Sequence, residues 1–472
     1  MSCVAMGSIA EASDIPSLTA LERIGPKGYV RYIFPFPLGD DYDLEQVVEI
    51  LRVSYAATTR RLPVMACEAV PDHRTTQRGV LRLQRLLEGY IEPIVTRDLR
   101  APGKFPTTYA KLQARAFPVA FFDADVLCRR SVWPTPGERL PVSLLQANFI
   151  PGGLLLNWCV LHVVGDGTTY QVWMKVWAEE CRRAQGMAIL EPIELPEATL
   201  RDRECAMRAS GRNPGSLSSH PQYTLLPSAP AGAPPKMLAK NHRTQVFYFS
   251  PAALTALKEA ASPAHATMTS DQTWISTNDA LSALLWRTVM AVQWPLDTLQ
   301  GDPVSVFNLA IDGRLRTDPP VHPETLGCFL EYLGVSLPIR TILGSASLAD
   351  LAILIRKEVL RADRQFTDDL VALVEQLEDV DCLVPTAFLD VPGFNCVQTS
   401  WINFQLYGLE WGPLMGHHIG AVRAPHIGVI NGLQLVLPAP PEGGMEVLVG
   451  VEESCLERLL QDPLWMKYAV AR

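Results

Sequence analysis

At 472 residues the chain is too long for one ordinary core, so two or three folded units are expected. Its 48% hydrophobic and 19% charged residues describe a folded protein with ample core material. A net charge of −9 with no basic block argues against a nucleic-acid partner. The ten cysteines are scattered, none in a CxxC pair, and read as reduced, buried thiols of a cytoplasmic protein. No Cys/His cluster has ligand spacing, so no metal is expected. Met1 to Ile15 lacks a basic region and carries Glu11 and Asp14, unlike a signal peptide. No apolar run reaches the roughly 18 residues of a membrane span.

In chain order, Tyr29 to Pro37 alternates as a strand with aromatic weight. A helix follows over 43–58, with Leu44, Val47, Val48, Leu51 and Tyr55 on one face. Leu140 to Ile150 reads as a strand, and Pro151-Gly152-Gly153 as a turn. The apolar run Leu154 to Leu161 is a buried strand that ends at His162. After a short turn, a helix runs from Asp166 or Gly167 through about Arg183.

Periodicity fades from 186 to 243, and Ser228 to Pro235 is rich in Pro, Gly and Ala. This places an N-terminal domain at 1–185, a crossover linker at 186–243 and a C-terminal domain at 244–472. In the latter, Thr244 to Phe249 is a strand and Pro251 to Ala261 a helix. Thr277 caps a helix over Asn278 to Trp294, and Val304 to Ile311 is a strand running into Asp312-Gly313-Arg314. Leu348 to Phe366 reads as one helix. Leu433 to Leu437 and Met445 to Val451 form a hairpin, with a closing helix from Glu452 to about Leu460.

The stretch 154–167 is a way to hold an imidazole rigidly at the edge of a core. Histidine is the side chain best suited to take a proton near neutral pH, so His162 is a candidate general base. On these residues alone, Asp166 reads equally as a helix N-cap, and His162 as a core histidine.

Ordered motifs add to that reading. They are His162-Val-Val-Gly-Asp166-Gly167, Asn308 to Arg316 with Asp312-Gly313-Arg314 and then Pro319-Pro320, and Thr399-Ser400-Trp401 through Leu409-Glu410-Trp411-Gly412-Pro413. Ser276-Thr277-Asn278-Asp279 through Leu285-Trp286 and Ala421 to Pro425 follow the same pattern. Together they resemble the HxxxD (BAHD-type) acyl-CoA-dependent acyltransferases, in the fungal branch similar to trichothecene 3-O-acetyltransferase. The resemblance spans essentially the whole chain.

It implies an α/β fold: two similar chloramphenicol-acetyltransferase-like domains of mixed sheet and helices, with the active site in a channel at their interface. Acyl-CoA, acetyl-CoA by default, would be a co-substrate rather than a bound cofactor. The acceptor would be a hydroxyl or amine of a secondary metabolite. His162 would be the general base, and Asp166 a structural strut paired with Arg314. Thr399 and Trp401 would stand beside the reacting centre as donors to the oxyanion. Lys258, Ser276, Trp411 and Gly412 would bind the co-substrate, with Lys236, Lys240 and Arg243 as further candidates for its phosphates, and Leu409 to Pro413 would shape the channel. Cys159 would be strand packing, because direct transfer needs no acyl-enzyme. The chain departs from the pattern at Leu161, where many relatives carry a second histidine, at Cys328, where many carry asparagine, and at Glu410, whose alignment to the motif aspartate is ambiguous. A cytoplasmic monomer without nucleic-acid or membrane partners is expected. The rival readings are a same-fold enzyme using His162 for a CoA-independent condensation, cyclisation or elimination, and a non-catalytic metabolite-binding protein.

Overall fold

The computed structural model describes residues 15–87, 91–196, 203, 208–230, 232–233, 241–390, 393–425 and 432–472. Two large mixed sheets, each with helices packed on it, organise them.

The first sheet has the order β1-β4-β3-β2, with β1 at Tyr29–Pro37, β2 at Val95–Asp98, β3 at Ser143–Ile150 and β4 at Gly153–Leu161. β4 pairs antiparallel with β1 on one side and β3 on the other, and β2 runs parallel to β3. All nine residues of β4 are buried, so its apolar run is continuous rather than alternating. One face of the sheet carries α1 (Leu44–Arg61) and α2 (Gly167–Ala184). Their contact is aromatic: Trp158 of β4 meets Trp173 and Trp177 of α2, and Trp177 meets Tyr55 of α1 edge-on at 5.5 Å. The stretch 140–150 is not one strand. Leu140–Pro141 pairs with Glu68 and Ala69 in a small separate sheet, and the chain joins the main sheet only at Ser143.

The second sheet has the order β7-β6-β8-β9-β10-β5-β11. Its strands are β5 (His242–Phe249), β6 (Val304–Asp312), β7 (Leu330–Pro338), β8 (Cys396–Ser400), β9 (Leu433–Val436), β10 (Met445–Glu452) and β11 (Val470–Ala471). α3 (Thr277–Gln293) is buried along most of its length, and its Trp286 Nε1 donates to Ser305 Oγ of β6 at 2.8 Å. Its cap is Ser276, one residue earlier than Thr277: Ser276 and Asp279 exchange side-chain and backbone bonds in a capping box. The helix expected over 348–366 is two helices, α4 (Leu348–Arg361) and α5 (Arg364–Gln376). Asp363 breaks it, capping α5 by accepting from the Phe366 amide.

The two halves share chain. After β8, residues 401–425 leave the second sheet, and Leu406, Trp411, Met415, Ile419 and Val422 pack into the first core. Arg423 then bridges Ile33 on the outer edge of β1, with backbone bonds of 2.8 and 3.1 Å, before the chain returns to β9. Its buried guanidinium grips Glu446 of β10 through both carboxylate oxygens, at 2.8 and 3.0 Å. No described helix is long and apolar enough to cross a membrane.

Candidate active site

β4 delivers His162 into a single 3₁₀ turn, His162–Val164, before α2 begins. The His162 amide donates to the Gly28 carbonyl at 2.9 Å, so the edge of β1 anchors the backbone. The imidazole Nδ1 lies 3.0 Å from the Gly165 carbonyl oxygen. An oxygen there can only accept, so Nδ1 carries the proton and Nε2 keeps its lone pair. The same carbonyl also accepts from the Tyr170 hydroxyl at 2.6 Å, which helps to fix it. Burial lowers the His162 pKa below its ordinary 6.5, with the nearby Asp166 charge opposing. The ring is therefore neutral at physiological pH. Cys328 Sγ approaches Nδ1 only to 4.0 Å, and burial pushes its thiol up, so it stays neutral.

Asp166, four residues on, does not engage the histidine. Its carboxylate caps α2 by accepting from the Thr169 amide at 3.1 Å, and takes a further bond from the Phe329 amide at 2.9 Å. Arg314 supplies two more, at 2.6 and 2.9 Å. Burial alone would raise this carboxyl; the Arg314 charge and the hydrogen bonds overcome it and hold it below its ordinary value. Arg314 itself is fully buried, and its remaining donors reach Asp312 Oδ1 and the carbonyls of Thr325 and Gly327. Asp166 and Thr169 come from the first half, Asp312 and Gly327 from the second. The guanidinium sits where the two meet.

His162 lines a cavity of about 890 Å³ that runs between the halves. Thr399 and Trp401 line it too, at the end of β8 and just beyond, and the Trp401 ring rests on Tyr32 of β1 at 4.9 Å. Asn278, in the first turn of α3, is also in the wall, as is Arg31 of β1. Sequence reasoning missed Asn278, Arg31 and Tyr170. Asn278 was within reach, lying inside the Ser276 to Asp279 motif, and so was Tyr170, whose hydroxyl reaches a carbonyl only five positions back; the setting of Arg31 is tertiary and leaves no local signal.

None of the four residues assigned to co-substrate binding is among those lining this cavity. Trp411 is fully buried in the first core, edge-on to Phe36 and Trp177 at 5.3 and 5.4 Å. Gly412, at φ 87°, forms the turn beside it, where a Cβ would strike Gln185. The segment 409–413 is thus a plug in the first core rather than a channel wall. Glu410 serves that plug, accepting from the Gly412 amide at 2.8 Å and lying 3.0 Å from His417 Nδ1. The Ser276 hydroxyl is used in its capping box. Lys258 lies over the Trp274 ring, away from the cavity wall, and Arg243 is paired with Glu453. Lys236 and Lys240 lie outside the described residues.

Residues 124–463 match the transferase family, and residues 29–181 match the trichothecene 3-O-acetyltransferase-like N-terminal domain. The chain belongs to the transferase family. Among curated relatives it is 29% identical to the enoyl-CoA isomerase/hydratase claC of Penicillium crustosum, with 95% of this chain aligned, and it spans 50% of that protein's length. It is 27% identical to the eremophilane O-acetyltransferase prx11 of Penicillium rubens, over 96% of this chain and 98% of the relative. In fold, this transferase-family chain superposes on F. graminearum TRI101 complexed with coenzyme A and deoxynivalenol. The TM-score is 0.82 at 23% identity, covering 97% of this chain and 99% of the other.

Proposed function

We propose that the chain transfers an acyl group, acetyl by default, from acyl-CoA to a hydroxyl or amine of a secondary metabolite. One observation carries this: a neutral imidazole in a cavity wall, with Nδ1 held by the Gly165 carbonyl and Nε2 without a partner among the described residues. Free alcohols are poor nucleophiles at neutral pH, and such a base removes that limit. His162 Nε2 takes the acceptor proton as the acceptor oxygen or nitrogen attacks the thioester carbonyl. The oxyanion of the tetrahedral intermediate accepts from the Thr399 hydroxyl and the Trp401 indole N–H. Collapse breaks the C–S bond, and the CoA thiolate leaves with the proton from the imidazolium. Asp166 and Arg314 touch no reacting atom; they hold the histidine turn against the second half.

The relatives support the class of reaction. The relative prx11 is an eremophilane O-acetyltransferase, and the TRI101 crystal holds coenzyme A together with deoxynivalenol. On this reading the protein works in the cytoplasm as a monomer, with domains at 1–185 and 244–472 joined by 186–243. Its described cysteines are all free thiols, in keeping with a reducing compartment.

The test is calorimetric binding of acetyl-CoA and of CoA to the purified protein, which requires no knowledge of the acceptor. Both should bind, with slow thiol release from acetyl-CoA that His162→Ala removes. Binding of neither would sink the proposal in favour of a CoA-independent reaction on the same scaffold.

A further inference from the structure

Four largely buried arginines each face a carboxylate: Arg314 with Asp166, Arg423 with Glu446, Arg203 with Glu22, and Arg356 with Asp279. Arg31 does not. It is 8% exposed, and among the described residues it forms no ion pair. Its Nη1 makes one long bond, 3.4 Å, to the Arg130 carbonyl, and its Nε has no acceptor. The thiols that feel its charge, Cys128 and Cys159, are both pushed up by burial and supply no negative charge at neutral pH. A guanidinium cannot shed its proton, and this one faces the cavity with no counter-charge among the described residues. Such a group is accounted for when a ligand brings the missing charge.

Its place says which ligand. Arg31 lies in the cavity wall on β1, three residues from Gly28, whose carbonyl holds the His162 amide. At strand rise, its Cα is about 10 Å from that of the residue opposite the base. The long pantetheine arm keeps the phosphates of CoA much farther than this from the reacting thioester. An anion held by Arg31 on the base's side of that arm would belong to the acceptor. The same cavity wall also carries Trp133, Ala424, Pro425 and Leu435, surfaces suited to an apolar body.

We infer that Arg31 is the anchoring cation of the acceptor subsite, and that the acceptor is a largely apolar molecule bearing a carboxylate remote from the group that is acylated. Arg31 is a specificity residue, and the inference rests on the acyltransferase reading.

The experiment uses a matched pair, 4-(2-hydroxyethyl)benzoate and its methyl ester, titrated calorimetrically into the full-length protein saturated with CoA. Binding of acetyl-CoA, measured first on the same preparation, tests the acyltransferase reading separately. The acid should bind about tenfold or more tightly than the ester, since a charge-assisted bidentate bond is lost in the ester. Arg31→Gln should reduce that preference to less than about twofold while leaving acetyl-CoA affinity and the thermal midpoint unimpaired, because it removes an unpaired buried charge. Arg31→Lys should keep part of the preference. Equal binding of acid and ester, or no binding of the acid, overturns the inference. So does an Arg31→Gln protein that loses CoA affinity but keeps the acid preference, which would move Arg31 to the donor side.

Discussion

The Asp166 carboxylate meets the Arg314 guanidinium edge to edge, Oδ2 at 2.6 Å from Nη1 and Oδ1 at 2.9 Å from Nη2. The two residues are 148 positions apart in the chain, and both are buried. Buried pairs of this kind add little over an apolar pair of equal shape, but breaking one strands a charge. Asp166→Asn keeps the shape, removes the charge and leaves one bond of the pair unmade. It should lower unfolding free energy by about 3–5 kcal/mol and reduce activity with it. Denaturant midpoints of wild type and variant measure this, and equal midpoints would remove the strut role.

His162→Ala tests the base without disturbing the strut. The side chain makes one hydrogen bond within the described residues besides its long contact with Cys328. Transfer should fall by about 10²–10⁴, the ordinary contribution of a positioned base. The thermal midpoint should stay close to wild type. Near-wild-type turnover by a variant that folds would end the mechanism.

The pH dependence carries a sign. Burial lowers the His162 pKa below 6.5, so the acid limb of kcat/KM should fall below pH 6.5. Stability moves the same way. The unfolded chain binds the proton first, so this group's contribution is present above pH 6.5 and is lost as pH falls through the folded value. An acid limb above 6.5 would mean a different base, or a histidine stabilised as the cation.

Much of this site could be read before the fold was known, because its members sit in short motifs. His162 ends a run whose burial its composition announces, and the bounds read for Tyr29–Pro37 coincide with the strand, although its burial is nearly continuous rather than alternating. The readings that departed from the structure depend on long-range packing. Trp411 and Gly412 stand in a motif, but the 401–425 crossing carries them into the other half's core, and nothing local records that crossing. Ser276 and Thr277 are both good caps, and only the reciprocal bond from Asp279 separates them. Arg31 looks like any strand arginine; its missing partner is a fact of three dimensions.

Glu331 gives a prediction of opposite sign. It is fully buried in β7, with Oε1 accepting from Thr367 at 2.9 Å and Oε2 unpartnered among the described residues. Burial pushes its carboxyl up to about 7 from 4.5. The folded protein then holds a proton that the unfolded chain releases, so stability falls as pH rises from 4.5 through about 7. Glu331→Gln should remove that slope and raise stability at pH 8 by on the order of 1–3 kcal/mol. Unchanged pH dependence in the variant would show that the carboxyl titrates normally.

Gly167, at the end of the histidine motif, is set by a close approach. A Cβ there would lie 2.1 Å from two ring atoms of Phe404, a residue of the crossing segment that lines the cavity beside it. Helix propensity favours alanine over glycine by about 1 kcal/mol in a helix interior. Overpacking of a filled site costs about 1–3 kcal/mol, so the clash should win and Gly167→Ala should destabilise. The cause can be isolated. Phe404→Leu alone opens the space, and Gly167→Ala in that background should recover most of its loss. Denaturant midpoints of the four proteins close a double-mutant cycle, in which contacting residues couple by about 0.5–3 kcal/mol. Strict additivity would place the need for glycine in the turn itself rather than in the contact between the two halves.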